Sequence, residues 1–188
     1  MKDWSRKIMM ICLVAATALL SGCGSLMTEA KSPIAESKPD TARVFFALDQ
    51  GFPQGGGVIT EGTKLLGAIS NGQHFYADVP AGEHLFILKS EQDEAIKANL
   101  EAGKTYYVKV FITPGVMSTR TYWTPLKNTA EDLKIRDEMI KDTKRVELVP
   151  EKAAKWEADE KEELIEREQS FKSGEDEIKQ TIGSANAM

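Results

Sequence analysis

From Thr41 to Thr124 the chain is a series of short apolar runs separated by turn residues. The runs are "ARVFFAL" (42–48), "GVIT" (57–60), "TKLLGAI" (63–69), "HFYADV" (74–79), "HLFILK" (84–89), "EAIKANL" (94–100), "TYYVKVFI" (105–112) and "VMSTRTYWT" (116–124). Each is too short for a typical helix and rich in β-branched and aromatic residues. Repeats of this length, roughly 8–12 residues apart with turn signals between them, belong to an antiparallel β-sandwich. The turns "PAGE" (80–83) and "EAGK" (101–104) each place glycine where a tight reversal needs positive φ. Read as a two-residue hairpin, the first sets Val79 opposite His84 and Ala77 opposite Phe86. Tyr106, Val108, Val110 and Ile112 alternate onto one apolar face, while Tyr107, Lys109 and Phe111 take the other.

Beyond Trp123 the pattern changes. Thr129-Ala130-Glu131-Asp132 has the form of a helix capping box, and Leu133, Met139 and Ile140 then fall near one face of a short helix. "RVELV" (145–149) reads as one more strand, ended by Pro150. Residues 151–172 are rich in Ala, Glu and Lys, a helical composition. Their large apolar residues are sparse, and Leu164, Phe171 and Ile178 recur only once per heptad, too thin a seam for a coiled coil. The expected product is a mainly β sandwich over residues 41–150 with a short inserted helix. A charged helical C-terminal extension follows over residues 151–188, frayed from Ser184 onwards.

The N-terminus sets the compartment. Lys2, Arg6 and Lys7 precede Ile8–Leu20, thirteen residues without charge. A basic start followed by an apolar stretch of about 7–15 residues is a secretory signal peptide. A membrane-spanning helix needs roughly 20 apolar residues. The segment Leu20-Ser21-Gly22-Cys23 resembles the lipobox of bacterial lipoproteins. That resemblance implies diacylglyceryl attachment at the Cys23 thiol and removal of residues 1–22. Two or three acyl chains make a durable anchor where one gives marginal binding. Gly24 rather than Asp after the cysteine fits, by the same resemblance, transfer to the outer membrane. Cys12 leaves with the signal, so the mature chain holds no internal disulfide. Residues 24–40 carry Pro33, Pro39 and little apolar content. With Cys23 they read as a flexible tether over 23–40, whose mean span for 17 residues is on the order of 23 Å.

The whole chain has 24 basic and 29 acidic residues; without the signal's three basic and one acidic the balance is 21 against 28, about −7. That charge argues against nucleic acid as a partner and against electrostatic attraction to anionic lipid. The membrane is expected to be engaged through the N-terminal lipid.

"ARVFFA", "LLGAISNGQHFYADVPAGEHLFILK", "LEAGKTYYVKV" and "VELVPEKAAK" together resemble a group of bacterial lipoproteins. These share a small β-rich domain of unknown function, number two thousand eight hundred and forty-six of that series. The resemblance runs from about Thr41 to Ala154. It implies a sandwich of transthyretin-like or immunoglobulin-like shape and no known reaction. The segment 125–144, the glycine-rich loop 51–57 and the acidic tail depart from that pattern.

Chemistry is thinly represented. The two histidines, His74 and His84, fall on opposite faces of the expected hairpin, so shared metal ligation is not expected; His84 reads as a strand-start hydrogen-bonding residue. Gly55-Gly56-Gly57 lacks the lysine and the strand–loop–helix setting of a phosphate-binding loop. No nucleophile–base motif is present. No catalytic residue, metal or cofactor is therefore expected, and the chain reads as a binding or structural module of the envelope. Its candidate partners are an envelope protein or peptidoglycan, met through Phe52, Tyr122, Trp123 and Trp156 if they are exposed. The rival is a periplasmic hydrolase, which facing carboxylates or a histidine–carboxylate pair in a cleft would favour.

Overall fold

A computed structural model describes residues 25–49, 55–114 and 119–188. Within them the order is β1 (Met27–Glu29), β2 (Thr41–Leu48), β3 (Gly56–Glu61), β4 (Lys64–Ser70), β5 (Gln73–Pro80), β6 (Gly82–Lys89), β7 (Glu94–Leu100), β8 (Thr105–Pro114), β9 (Thr119–Pro125), α1 (Ala130–Asp142), β10 (Lys144–Leu148), α2 (Pro150–Ser173) and β11 (Gln180–Ile182). No helix among the described residues is long and apolar enough to cross a membrane.

The fold is mainly β, in two sheets. One has the order β1-β10-β5-β2-β8-β9, the other β11-β7-β6-β3-β4. Side-chain alternation decides how they meet. Val44, Phe46 and Leu48 of β2, and Tyr106, Val108, Val110 and Ile112 of β8, point to one side. They share a single core with Ile59, Phe86, Leu88, Ile96 and Leu100 of the other sheet. Phe46 stacks on Phe75 and on Trp123, with ring centroids 5.2 and 6.3 Å apart, and meets Phe86 edge-on.

The opposite faces are covered too. Phe45 and Ala47 pack outward with Tyr76 and Tyr107 under Met139 and Ile135 of α1. Leu85, Ile87 and Ala95 pack outward under Phe171 of α2. The layers therefore run helix, sheet, sheet, helix. This explains why β2 is buried along nearly all its length: it is central in its sheet and covered on both faces.

The pairing is mixed rather than antiparallel. β2 runs parallel to β8, β10 to β5, and β11 to β7. The hairpin at Pro80-Ala81-Gly82-Glu83 is not formed. β5 pairs with β2 on one side and β10 on the other, so it has no free edge for β6, which pairs with β3 and β7. The turn is a corner between sheets, held by Ala81 N–H donating to Asp40 O at 3.2 Å. The second turn, Glu101–Lys104, likewise carries the chain from β7 in one sheet to β8 in the other. Its Gly103 has φ +72°, as the turn requires, and donates to Thr41 O at 2.8 Å.

Both termini of the described chain are more ordered than the composition implies. The expected tether contributes β1, which pairs with β10, so only part of it is loose coil. The C-terminal segment is helical over Pro150–Ser173 but then re-enters the second sheet as β11. Its last residue is not frayed: Met188 and Thr105 exchange backbone hydrogen bonds of 3.0 and 3.2 Å. Thr129 caps α1, accepting from Asp132 N–H, while the Asp132 carboxylate accepts from Lys127 N–H at 2.7 Å. On that helix Met139 is buried as expected, but Ile140 is 40% exposed and Ile135 takes the place facing the sheet.

Candidate functional site

A cleft of about 570 Å³ lies along β6, β7, β11 and the last turns of α2. Its position follows from the strand alternation. Leu85 and Ile87 face outward beneath α2, so Glu83 of β6 shares that face, as do Lys97 and Asn99, which oppose Leu85 and Glu83 on β7. Glu168 and Lys172 of α2 form the far wall and pair with each other at 2.9 Å. Thr181 of β11 supplies the one hydroxyl of the lining. The cleft is within the size range of small-molecule and peptide sites. Its chemistry is mixed, with carboxylates, ammonium groups and an amide around a small apolar floor, which suits a polar ligand carrying both signs of charge.

A histidine–carboxylate pair lines this cleft. His84 Nδ1 lies 2.5 Å from Glu61 Oε1, and His84 Nε2 lies 2.8 Å from Pro80 O. The carbonyl can only accept, so Nε2 donates to it. The other nitrogen is occupied by Glu61. Neither nitrogen presents a free lone pair to the cleft, as a general base or metal ligand must. The ring stacks on Phe86, 5.5 Å away. Its contacts join the β6 start to β3 and to the end of β5, the hydrogen-bonding role expected at a strand start.

His74 is buried in the other sheet, not across a hairpin from His84. Thr143 Oγ1 donates to Met139 O at 2.5 Å, which leaves its oxygen to accept from His74 Nδ1 at 2.7 Å. Burial, then the nearby positive charge of Arg145, lowers the pKa of His74, so the neutral ring is favoured. Among the described residues no three His, Cys, Asp or Glu side chains converge as a metal site.

A second groove, about 330 Å³, lies at the opposite edge between β1, β10, β5 and residues 32–35. The Arg43 guanidinium crosses it, held by both carboxylate oxygens of Asp78 at 2.7 and 2.8 Å and by Ala35 O at 2.8 Å. The Asp78 hydrogen bond raises the Arg43 pKa further.

The residues singled out from the sequence are not brought together. Leu20, Ser21, Gly22, Cys23 and Phe52 lie outside the described residues. Trp123 is 1% exposed, a core residue rather than part of a surface, because β9 turns that face toward the other sheet. Tyr122 points the other way and stacks on Phe111 with centroids 5.7 Å apart. Trp156 is half-buried on α2, with Lys89 Nζ 5.8 Å from its ring centroid. Tyr122 and Trp156 therefore sit on opposite outer layers. The cleft residues were not legible in advance, because the site exists only once β11 has joined β7. Comparison of the chain with family models, with curated proteins and with solved structures finds no match.

Proposed function

We propose that this chain is a lipid-anchored protein of the bacterial cell envelope that acts by binding or as a structural module, not by catalysis. The observation that carries the reading is Leu20-Ser21-Gly22-Cys23, which begins on the last residue of a thirteen-residue uncharged run with a basic start. Gly24 supports an outer-membrane address facing the periplasm. The two facing sheets are read as an elaborated sandwich of transthyretin-like or immunoglobulin-like shape, related to the lipoprotein domain of unknown function that the strand motifs resemble. The helices and β11 are additions to that frame.

The cleft supports binding over hydrolysis. The His84 ring is engaged at both nitrogens, by Glu61 and by the Pro80 carbonyl, so it has no free lone pair to act as a base. A partner with both ammonium and carboxylate groups, such as a protein segment or a cell-wall stem peptide, complements Glu83 and Lys97. Mass spectrometry of the mature N-terminus tests the anchor: the expected first residue is Cys23 bearing acyl chains. Cys23→Ala is expected to fractionate with soluble proteins or to stay unprocessed. An unacylated wild-type chain recovered in aqueous extracts overturns the reading.

A further inference from the structure

We propose that the sandwich lies directly against the bilayer with its β1–β10 edge toward the lipid headgroups, so that the cleft on β6, β7 and β11 faces away from the membrane. This rests on the lipidation of Cys23 proposed above and adds an orientation to it.

The first described residues are already part of the fold. β1 is paired with β10 along Met27, Thr28 and Glu29. Ala30 N–H donates to Arg145 O at 3.0 Å, and Val149 N–H donates to Leu26 O at 2.9 Å. Lys152 Nζ donates to Ser25 O at 3.2 Å. The backbone is thus fastened from Ser25 to Ala30. Leu26 is three residue steps on from Cys23, a reach of about 10 Å at full extension. The headgroup layer on each side of a bilayer is roughly 5–8 Å deep. At full extension a leash this short carries the first fastened residue at most about 5 Å beyond the headgroup layer, so the domain stays against the membrane surface, whereas 17 flexible residues span on the order of 23 Å.

Strand order then sets the far side. β1 and β10 occupy one edge of their sheet, and β4 of the other sheet lies against β10 and β5. β9 and β11 lie together at the opposite edge. The membrane-side edge carries an apolar residue suited to the interface. Ile34 is 50% exposed on the segment that follows β1, and that segment is held by Arg145 at Ser32 O and by Arg43 at Ala35 O. A lipid surface is the occupant because the exit point of the chain, two residues from the acylated cysteine, lies on this same edge.

The test uses the mature lipidated protein in vesicles of phosphatidylethanolamine and phosphatidylglycerol containing doxyl-labelled lipid. Single cysteines replacing Ile34, Lys152, Thr124 and Glu83, all exposed positions, are labelled with a nitrobenzoxadiazole fluorophore. Quenching is expected to be several-fold stronger at positions 34 and 152 than at 124 and 83. Inserting a dozen Gly and Ser residues between Gly24 and Ser25 is expected to erase that difference while the protein still floats with the vesicles. Equal quenching at all four positions, or an insertion without effect, overturns the orientation and leaves the anchor standing. Failure of the unmodified protein to float overturns the anchor, and the orientation with it.

Discussion

His74 shows how one polar ring is kept inside this fold and what that costs in acid. Its ring lies against Phe45, 4.9 Å between centroids, and edge-on to Tyr76, with Thr143 accepting from Nδ1 and Arg145 supplying positive charge nearby. Burial lowers its pKa in the folded state, so the unfolded chain binds the proton more readily. Stability therefore rises with pH where the unfolded state holds the extra proton. The contribution is whole above about 6.5, the ordinary histidine value, and is lost as pH falls from there toward the depressed folded value. Urea midpoints at pH 7.5 and 5 are expected to drop more in the wild type than in His74→Asn. The difference between the two proteins isolates this residue from groups such as Glu94, whose pKa burial raises. Equal drops in both remove His74 as the cause. None of this was visible in the sequence, where His74 is one polar residue at the start of an apolar run. Gly67 was not singled out either: a Cβ there would lie 2.5 Å from the Phe75 ring, so this glycine sits at a close approach between the sheets.

Strands and helices were largely legible as elements, and their partners were not. Alternation located the β8 core face, and the capping residues located α1, because both signals are local. Pairing is not local. The turns at Pro80–Glu83 and Glu101–Lys104 look like hairpins because glycine is needed for either a hairpin or a corner. Which one forms depends on β2 and β10 having claimed both edges of β5. β11 is the extreme case. Three residues with one apolar side chain give no strand signal, yet Ile182 is 3% exposed in the core and Asn186 Nδ2 donates to Leu126 O at 2.9 Å. Removing residues 180–188 uncovers the edge of β7 and leaves Ile96 and Ala98 without their neighbour. Losing one buried isoleucine to a void costs about 2–5 kcal/mol, and an uncovered edge invites association between chains. The truncated protein is expected to melt at least several degrees lower and to form oligomers on gel filtration. A monomer with unchanged melting would show that β11 is dispensable.

At the scale of the molecule, the question is whether α2 and β11 form an appendage or part of one cooperative unit. α2 is fastened to the second sheet at several points. Glu157 accepts from Leu65 N–H of edge strand β4 at 2.8 Å, and Arg167 pairs with Asp93. Lys89 pairs with Glu160 and, at 2.9 Å, with Glu163. Burial opposes the Lys89 charge, but the two carboxylates outweigh it and raise its pKa, while Lys89 lowers that of Glu160. Exposed pairs of this kind contribute about 0–1 kcal/mol each. Burying Leu164, Phe171 and Ile182 contributes more, on the order of 5–9 kcal/mol together. That is comparable with the whole stability of a domain, about 5–15 kcal/mol, so α2 and the sandwich are expected to unfold together. Among the described residues two tryptophans report on the two parts, Trp123 in the shared core and Trp156 on α2, and a chain without residues 1–22 lacks Trp4. In Trp156→Phe and Trp123→Phe the remaining fluorophore isolates each part. Within each variant the fluorescence and far-ultraviolet circular dichroism transitions in urea are expected to coincide in midpoint and slope, the mark of two-state unfolding. Should Trp156 fluorescence in Trp123→Phe change at lower urea than the dichroism of the sheets, α2 detaches first. The chain would then be a sandwich with a separable helix, and the cleft between α2 and the sheet would open before the core melts.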